Sequence, residues 1–188
     1  MNKFFLFIIL FAALISCAKK EEFKESIIKE KSLDLQVLEA YQEGMKNLES
    51  GDVIYAAKKF NEAEILFPQS DWAPKSALMA AYSYYVQDYY GDAIAELERF
   101  KKIYPNHHNI DYAEYLLGLS FYEQIIDETK DLQSINSAKN IFLDVVEKYP
   151  TTDFAVDAKF KLDLINETLA AKEMYIGRYY FEKKKWIS

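Results

Sequence analysis

The chain has 188 residues, of which 51% are hydrophobic and 28% charged, and this balance is typical of a folded protein and excludes a disordered one. The formal net charge of −7 at pH 7 argues against nucleic-acid binding and against a polybasic grip on anionic lipid. Glycine and proline are scarce, at five and four residues, while Ala, Leu, Glu and Lys are abundant, so we predict an all-α fold.

The first residues have the pattern of an export signal. Lys3 precedes an apolar run from Phe4 to Ile15, which is too short to cross a bilayer comfortably as a helix. We therefore predict a signal peptide over residues 1–16. The single cysteine of the chain, Cys17, follows at once and can form no internal disulfide in an oxidising compartment. Residues 17–32 are predicted to be a flexible tether, with a leader of no specific role as the alternative.

The end of this signal resembles a lipobox. Leu14-Ile15-Ser16-Cys17 is similar to the motif of bacterial lipoproteins in which a small residue precedes the cysteine that becomes the mature N-terminus. The resemblance implies cleavage before Cys17, a thioether-linked diacylglycerol on its sulfur and acylation of the freed amine. Each buried methylene contributes about 0.8 kcal/mol, so these chains would form a durable anchor. Ala18 at the next position resembles lipoproteins sent to the outer membrane. An ordinary signal peptide with an incidental cysteine is the alternative.

The rest of the chain contains an internal repeat with a period of 37 residues. Ala40, Gly44, Ala56, Phe60, Ala63 and Pro68 recur at this interval as Ala77, Ala81, Ala93, Leu97, Phe100 and Pro105. The spacing is similar to the tetratricopeptide pattern, in which small residues lie where the two helices of a hairpin cross and larger ones fill the gap to the next hairpin. We predict an all-α, tetratricopeptide-like solenoid, a right-handed superhelix, over residues 33–188.

The predicted solenoid has three repeats and the start of a fourth, over residues 37–68, 74–105, 111–150 and 153–188. The third repeat keeps the register at Gly118, but its closing residues come eight positions late because of a polar insertion from Ile126 to Asn136. We expect this insertion to form a solvated loop between two helices. Cap-forming side chains beyond each proline predict helix starts at Ser70-Asp71, Asn109 to Asp111 and Thr151 to Asp153, with a restart after Asp111 in the second case.

The last segment is predicted to be one long helix or two abutting helices, because it has no proline from Asp153 to about Lys185. Repeat arrays usually end in a polar capping helix. Here the apolar residues Ile176, Tyr179, Tyr180 and Trp186 form a face that no later segment of the sequence covers. We expect either a shortened chain or a partner at this end.

Tyrosine is abundant, with fifteen residues, and several lie on the first helix of a predicted repeat, which lines the concave surface of such a stack. A large apolar ring with a polar tip suits contact with an extended peptide at modest entropic cost. The candidates for a peptide-binding groove are Tyr41, Tyr82, Tyr85, Tyr112, Tyr115 and Tyr122. A place in the core between repeats is the alternative for each of them.

The sequence has no pattern that predicts catalysis. The pair His107-His108 with Asp111 lacks the i, i+4 spacing of a zinc hydrolase, and no Gly-rich phosphate loop or Gly-x-Ser-x-Gly elbow is present. We interpret Pro105, His107 and Asp111 as residues of the turn between repeats, whose hydrogen bonds fix one hairpin against the next. Arg99 is predicted to form a structural salt bridge. We expect no enzyme activity, no metal site and no cofactor other than the covalent lipid.

Several stretches together resemble the BamD family of lipoproteins, which belong to the outer-membrane β-barrel assembly machinery. The strongest stretch comprises Arg99-Phe100, Pro105-x-His107, Asn109-Ile110-Asp111-Tyr112, Tyr115 and Gly118-Leu119. The others are Ala81 to Tyr85 and, near the end, Leu169-Ala170, Glu173 and Tyr179-Tyr180. The resemblance covers roughly Leu38 to Trp186. It departs at the C-terminus, where the family continues through the second helix of a fourth repeat and a complete fifth.

The resemblance implies a non-enzymatic scaffold of the barrel assembly (BAM) complex. It would be anchored through Cys17 to the outer membrane of a Gram-negative bacterium and face the periplasm. The implied partners are the barrel-forming subunit BamA, other BAM subunits and unfolded outer-membrane protein precursors, with no nucleic acid. In the family, contacts with BamA lie largely in the later repeats, and the N-terminal repeats have been linked to targeting signals of the precursors. The alternative is another envelope tetratricopeptide lipoprotein, acting as an adaptor for peptidoglycan or secretion machinery.

Overall fold

The computed structural model describes residues 32–124 and 133–185, and within these ranges every regular element is an α-helix. The helices are α1 (Leu33–Ser50), α2 (Val53–Leu66), α3 (Trp72–Tyr85), α4 (Tyr90–Ile103), α5 (Ile110–Tyr122), α6 (Gln133–Lys148) and α7 (Asp153–Glu182). The predicted all-α class is therefore confirmed, and the last segment forms one long helix. The predicted signal peptide, Cys17 and Trp186 lie outside the described residues.

Helices that follow one another along the chain pack side by side, as in a row of hairpins. The hairpins are α1–α2, α3–α4 and α5–α6, and α7 opens the next one. Between hairpins, the second helix of each packs against the first helix of the next, and the first helices also contact one another in the order α1, α3, α5 and α7. In the part of the chain that is described, the second helices α2, α4 and α6 make no such contacts with one another. The first helices thus form an inner row and the second helices an outer row.

Three side chains and one glycine define four of the helix ends. Side-chain oxygens accept a backbone N–H of the first turn at Ser32 before α1, Asp52 before α2 and Thr152 before α7. Gly51 ends α1 with φ 85°, a left-handed conformation that glycine adopts without steric cost. The connection from α1 to α2 can therefore be as short as Gly51-Asp52.

The start of α5 differs from the expectation. The helix begins at Ile110, so Asp111 lies inside the first turn and not in front of it. Its Oδ1 atom accepts the backbone N–H of the next residue, Tyr112, at 2.8 Å. An acidic side chain is also favourable in the first turn, because it faces the positive end of the helix dipole. Asn109 therefore occupies the cap position, although its side chain makes no capping hydrogen bond.

The end of the predicted insertion in the third repeat is helical and not part of a loop. Helix α6 begins at Gln133, so the end of the polar stretch, residues 133–136, is helical, while residues 125–132 lie outside the described ranges. Ile135 is 3% exposed, and it precedes the buried Ala138 and Phe142 at helical spacing. This buried stripe extends the helix backwards into the polar segment.

The core consists of clusters between neighbouring helices, and a fully buried phenylalanine marks three of the second helices: Phe60 on α2, Phe100 on α4 and Phe142 on α6. The buried residues of α7 end at Ile165. Apolar side chains beyond it, such as Met174 and Phe181, are exposed. Within the described ranges, no helix combines the length and the apolarity that a bilayer-spanning segment requires.

Candidate functional site

The inner row of helices contains a cavity of about 340 Å³. Three consecutive first helices supply its walls: Tyr41 from α1, Lys75, Leu78, Met79 and Tyr82 from α3, and Asn109 and Tyr112 at the start of α5. Five of these residues are apolar or aromatic, and two carry polar nitrogen groups. A concave apolar site with a few polar groups at defined positions is the usual form of a binding site.

Helical spacing on α3 places several of its side chains along one wall of the cavity. Lys75, Met79 and Tyr82 are separated by four and three residues, so they share one face of the helix. The adjacent face carries Ala77 and Ala81, which are fully buried in the core. Burial of the small residues therefore directs the larger ones toward the cavity.

Aromatic contacts fix the wall that α1 contributes. The ring of Tyr41 lies 5.2 Å from the ring of Phe60 and 5.0 Å from that of Trp72. Such edge and tilted contacts add about 0.5–1.5 kcal/mol to the burial of the rings. Tyr41 is thus held between its own hairpin and the next one, where it bridges α1 and α3.

Burial favours the neutral form of two tyrosines of the cavity, Tyr41 and Tyr112. Burial raises the pKa of Tyr112 to about 12, and the nearby phenols of Tyr82 and Tyr85 add to the increase. Burial also raises the pKa of Tyr41. These two residues therefore present uncharged rings with hydroxyl groups that can both donate and accept hydrogen bonds.

Lys75 brings a positive charge to the cavity. Its Nζ atom lies 5.2 Å from the centre of the Trp72 ring, a cation–π distance. Among the described residues, no carboxylate oxygen lies within 4 Å of this amine. Other cations of the chain do have carboxylate partners at that distance, namely Lys59, Arg99, Lys101 and Lys148.

The other three candidate tyrosines lie away from the cavity. Tyr85 packs against Tyr90, with ring centres 5.9 Å apart. The hydroxyl of Tyr115 donates to Asp157, and its ring stacks on Phe154. The amine of Lys161 lies 4.7 Å from the ring centre of Tyr122. The structure thus brings Tyr41, Tyr82 and Tyr112 together at one site and engages the remaining three within the fold.

The predicted turn residues make short-range hydrogen bonds. Nδ1 of His107 accepts the backbone N–H of Asn109 at 3.2 Å, and Asp111 accepts that of Tyr112. The first bond lies within the turn that follows Pro105 and the second within the first turn of α5, so neither joins two hairpins. The ring of His107 packs edge-on against the ring of Phe100 on α4, with the ring centres 5.6 Å apart. This contact links the turn to α4.

Burial and nearby charges also affect the pKa of a histidine in this turn. The pKa of His107 is lowered, first by burial and then by the nearby His108 and Lys75. The two histidine rings lie 4.1 Å apart. Within the described part of the chain, no group of three or more His, Cys, Asp or Glu side chains is arranged to hold a metal ion.

Sequence reasoning did not identify Lys75, Leu78, Met79 or Asn109 as site residues. A signal for three of them was present, because Lys75, Leu78 and Met79 precede Tyr82 at helical spacing and so extend its face backwards by two turns. Asn109 could be found only from the structure, since an asparagine in front of a helix is ordinarily assigned to capping.

Comparison with solved structures shows the fold. The first tetratricopeptide domain of Spaghetti (RPAP3), solved with an HSP90 peptide, has a TM-score of 0.54 and 18% identity, covering 72% of this chain and 94% of that one. The C-terminal tetratricopeptide domain of a putative FK506-binding protein from Plasmodium falciparum has a TM-score of 0.52 and 16% identity, covering 78% and 98%. The predicted tetratricopeptide-like fold is confirmed.

Curated relatives are named outer membrane protein assembly factor BamD. The protein of Caulobacter vibrioides is 34% identical over 94% of this chain and 57% of its own length. That of Rickettsia prowazekii is 38% identical over 77% of this chain and 57% of its own length. That of Neisseria meningitidis serogroup A is 31% identical, with 100% of this chain and 73% of the relative covered. The chain thus spans somewhat more than half the length of the first two relatives.

A family model completes the comparison. It is described as outer membrane lipoprotein, YfiO, and it matches residues 33–188, a range that includes every described helix. This range includes the stretch from Arg99 to Leu119 that carries the sequence resemblance. The chain belongs to the outer membrane lipoprotein (YfiO) family, whose curated relatives are named BamD.

Proposed function

We propose that this protein is a non-enzymatic scaffold of the outer-membrane β-barrel assembly complex and that it binds unfolded barrel precursors. The names of the relatives, which are assembly factors of outer membrane proteins, support the proposal. The observation that carries it is the open cavity on the inner row of helices, where three successive hairpins each present a tyrosine. A scaffold requires such a recognition surface and no reactive group.

The mechanism that follows is recognition by a fixed surface. The cavity accommodates an aromatic or aliphatic side chain of an extended precursor segment, and the tyrosine hydroxyl groups hydrogen-bond to its backbone. A partner insertase of the BamA type, held on the same scaffold, would then encounter the segment at a high effective concentration. Catalysis in the chemical sense is not needed for this role.

The anchoring of the protein is the second part of the proposal. A lipid on Cys17 would attach the helical repeats to the periplasmic face of the outer membrane through the tether of residues 17–32. The lipobox-like stretch Leu14 to Cys17 and the family match support this localisation. Mass spectrometry of the protein from membranes tests it, because diacylglycerol and an acyl chain should be found on an N-terminal cysteine. An unmodified mature terminus would contradict it.

Photocrosslinking tests the binding surface. A photoreactive phenylalanine derivative at Tyr82 should label a peptide derived from the aromatic-ending C-terminal segment of a barrel protein. The same derivative at Tyr89, an exposed tyrosine just before α4, provides the matched control. Equal labelling at the two positions would contradict binding in the cavity.

A pull-down tests the partner. Tagged protein from solubilised membranes should recover a barrel subunit of the BamA type. Recovery of peptidoglycan-associated proteins in its place would favour an adaptor of another envelope system. The two experiments are independent, because one probes the peptide surface and the other the assembly.

A further inference from the structure

One histidine joins the end of α4 to the start of α5. The backbone N–H of His107 donates to the carbonyl of Tyr104, the cap residue of α4, at 3.1 Å. Its carbonyl accepts the N–H of Ile110, the first residue of α5, at 3.0 Å. The side chain adds a third bond, since Nδ1 accepts the N–H of Asn109 at 3.2 Å. The geometry of this turn therefore depends on His107 through both its backbone and its ring.

The bond from Asn109 requires a neutral His107 ring. A neutral imidazole has one nitrogen that donates and one that accepts, so the proton of His107 lies on Nε2 when Nδ1 accepts. In the charged ring both nitrogens carry a proton, and the Nδ1–H group would point at the N–H of Asn109. Protonation thus replaces an attraction by a repulsion between two donors.

The surroundings of the ring also disfavour a positive charge. The His107 ring is half-buried and packs edge-on against the fully buried Phe100. The ring of His108 lies 4.1 Å away, and Lys75 of α3 brings a further positive charge. Burial, followed by these two neighbours, lowers the pKa of His107. The start of α5 adds the positive end of a helix dipole.

Other titratable groups around the turn are engaged elsewhere. On α4, the hydroxyl of Tyr104 donates to Glu64 at 2.8 Å. On α5, Oδ1 of Asp111 accepts the backbone N–H of Tyr112. Among the described residues, no carboxylate forms an ion pair with His107. A proton on the ring would therefore have no partner that compensates its charge.

We propose that His107 is an acid-sensitive switch, which holds the start of α5 against the end of α4 when its ring is neutral and releases the turn when the ring is protonated. Histidine is suited to this role, because its charge changes between about pH 5 and 8. Asn109 and Tyr112, which follow the turn, line the cavity of the inner row, so release would also change the shape of the cavity. The inference goes beyond the proposed function and its test needs no ligand.

The direction of the pH dependence follows from the pKa of His107. In an open turn this histidine has the ordinary pKa of about 6.5, and in the closed turn its pKa is lower. As the pH falls below about 6.5, the open turn takes up the proton first. The closed turn should therefore be fully stable above that pH and lose stability as the pH falls toward the lowered pKa.

Histidine NMR tests the protonation step. The chain contains two histidines, so the full chain with ¹³C-labelled histidine in detergent gives two ring signals, and His108→Gln identifies the signal of His107. That signal should titrate below about pH 6.5. Lys75→Gln should move the titration to higher pH, because it removes a nearby positive charge. Titration of His107 at or above pH 6.5 would overturn the inference.

Hydrogen exchange tests the opening of the turn. The measured exchange rate is divided by the intrinsic rate at each pH, which removes the direct effect of pH on the exchange chemistry. For the segment 105–113 this ratio should rise by about two- to tenfold from pH 7.5 to pH 5, the effect expected from the loss of one hydrogen bond. The segment 53–66 of α2 is the internal control and should show no rise. An unchanged ratio for 105–113 would contradict the switch.

Two variants assign the opening to the ring. His107→Asn keeps an oxygen that can accept the N–H of Asn109 but has no group that titrates in this range, so the rise at pH 5 should disappear. His108→Gln is the matched control and should keep the rise, with its midpoint at a higher pH. An undiminished rise in His107→Asn would assign the opening to another group and overturn the inference. The NMR titration decides the question independently if His107→Asn does not fold, and neither result depends on peptide binding.

Discussion

Two of the hairpins cross through a contact between a glycine and a phenylalanine. A Cβ atom on Gly44 would lie 2.8 Å from Cε1 of Phe60, and one on Gly118 would lie 2.6 Å from Cε1 of Phe142. Real Cβ atoms essentially never approach so closely, so each glycine makes room for the ring on the opposite helix. In the second hairpin, the corresponding pair is Ala81 and Leu97, which share one buried cluster. A slightly larger residue on one helix is thus matched by a smaller one on the other.

Substitution of Gly118 by alanine should therefore destabilise the protein. Alanine favours the helix over glycine by about 0.5–1 kcal/mol, but overpacking of a fully buried contact costs about 1–3 kcal/mol. We expect the packing cost to exceed the gain and the free energy of unfolding to fall by about 1–2 kcal/mol. Urea denaturation followed by circular dichroism measures this change.

Two further variants isolate the packing contribution. Phe142→Leu in the Gly118→Ala background recreates the alanine–leucine pair of the second hairpin and should recover part of the loss, which appears as a coupling energy in a double-mutant cycle. Gly177→Ala lies within α7 with nothing within 4 Å of the added atom and should be neutral or stabilising. Equal stability of Gly118→Ala and the unmodified protein would refute the crossing argument.

At the scale of the helices, the backbones of α2 and α4 in the outer row are not in close contact, but side chains connect these two helices. Arg99 of α4 donates to both carboxylate oxygens of Glu64 on α2, at 2.9 and 2.7 Å, and to Glu96 at 2.8 Å. The hydroxyl of Tyr104 donates to Glu64 as well, at 2.8 Å. Glu64 is 7% exposed. Its buried charge is compensated by three hydrogen bonds, two from Arg99 and one from Tyr104. The predicted structural salt bridge of Arg99 is confirmed.

Loss of the Arg99 guanidinium should destabilise the junction of the first two repeats. Arg99→Met leaves a carboxylate on Glu64 that is desolvated and without its cation, and we expect the free energy of unfolding to fall by about 2–3 kcal/mol. The double variant Arg99→Met, Glu64→Met should be more stable than Arg99→Met alone, because it removes the unpaired charge too. Chemical denaturation of all three proteins gives the coupling energy.

An exposed pair provides the comparison. Lys59 pairs with Glu62 one turn along α2, where the glutamate side chain is 45% exposed. Glu62→Gln should change the free energy of unfolding by less than about 1 kcal/mol. A loss as large as that of Arg99→Met would show that burial does not decide the contribution of these pairs.

The repeat pattern predicted which residues form the core but not which residues meet across repeats. Periodicity identified Ala93, Leu97 and Phe100 as an inward face, and all three are fully buried. It could not name Glu64 as the partner of Arg99, because the two lie 35 positions apart and on neighbouring hairpins. A pairing of this kind depends on the distance between helix axes. The spacing of apolar residues along the sequence does not determine that distance.

The candidate site was predicted in part. Tyrosines on the first helices were expected to line a concave surface, and Tyr41, Tyr82 and Tyr112 line one cavity. Whether a tyrosine faces the cavity depends on how its helix is rotated about its own axis. Tyr115 instead turns toward Asp157 of α7, a partner 42 positions away.

Across the described helices, the inner and outer rows differ in the kinds of side-chain contact that they make. The inner row holds rings that contact one another and a cavity whose charged group is Lys75. Each ion pair among the described residues includes a residue of the outer row; Arg99 of α4 pairs with Glu64 of α2, whereas Lys101 of α4 and Lys148 of α6 both lie 3.4 Å from Glu114 of the inner helix α5. Among the described residues, no ion pair includes a residue that lines the cavity, so a ligand there does not compete with one.

The abundance of buried phenols predicts a weakness of the whole fold at alkaline pH. Burial raises the pKa of Tyr104 and of Tyr112 to about 12, and a hydrogen bond to Asp88 raises that of Tyr90 to about 12. In the unfolded chain these phenols ionise near pH 10. The folded state therefore retains protons that the unfolded state releases, and the stability that is fully present below about pH 10 should fall as the pH rises toward 12.

Thermal unfolding from pH 8 to pH 12, together with phenolate absorbance at 295 nm, measures this dependence. The melting temperature should decline above about pH 10, and phenolate absorbance should rise together with the loss of helix. Tyr112→Phe removes a hydroxyl that makes no hydrogen bond with the described residues, so it should leave the stability at pH 7 almost unchanged and make the decline above pH 10 shallower. A decline of equal slope in the two proteins would mean that ionisation of Tyr112 is not coupled to unfolding, and a fold that survives to pH 12 would contradict the prediction for the molecule as a whole.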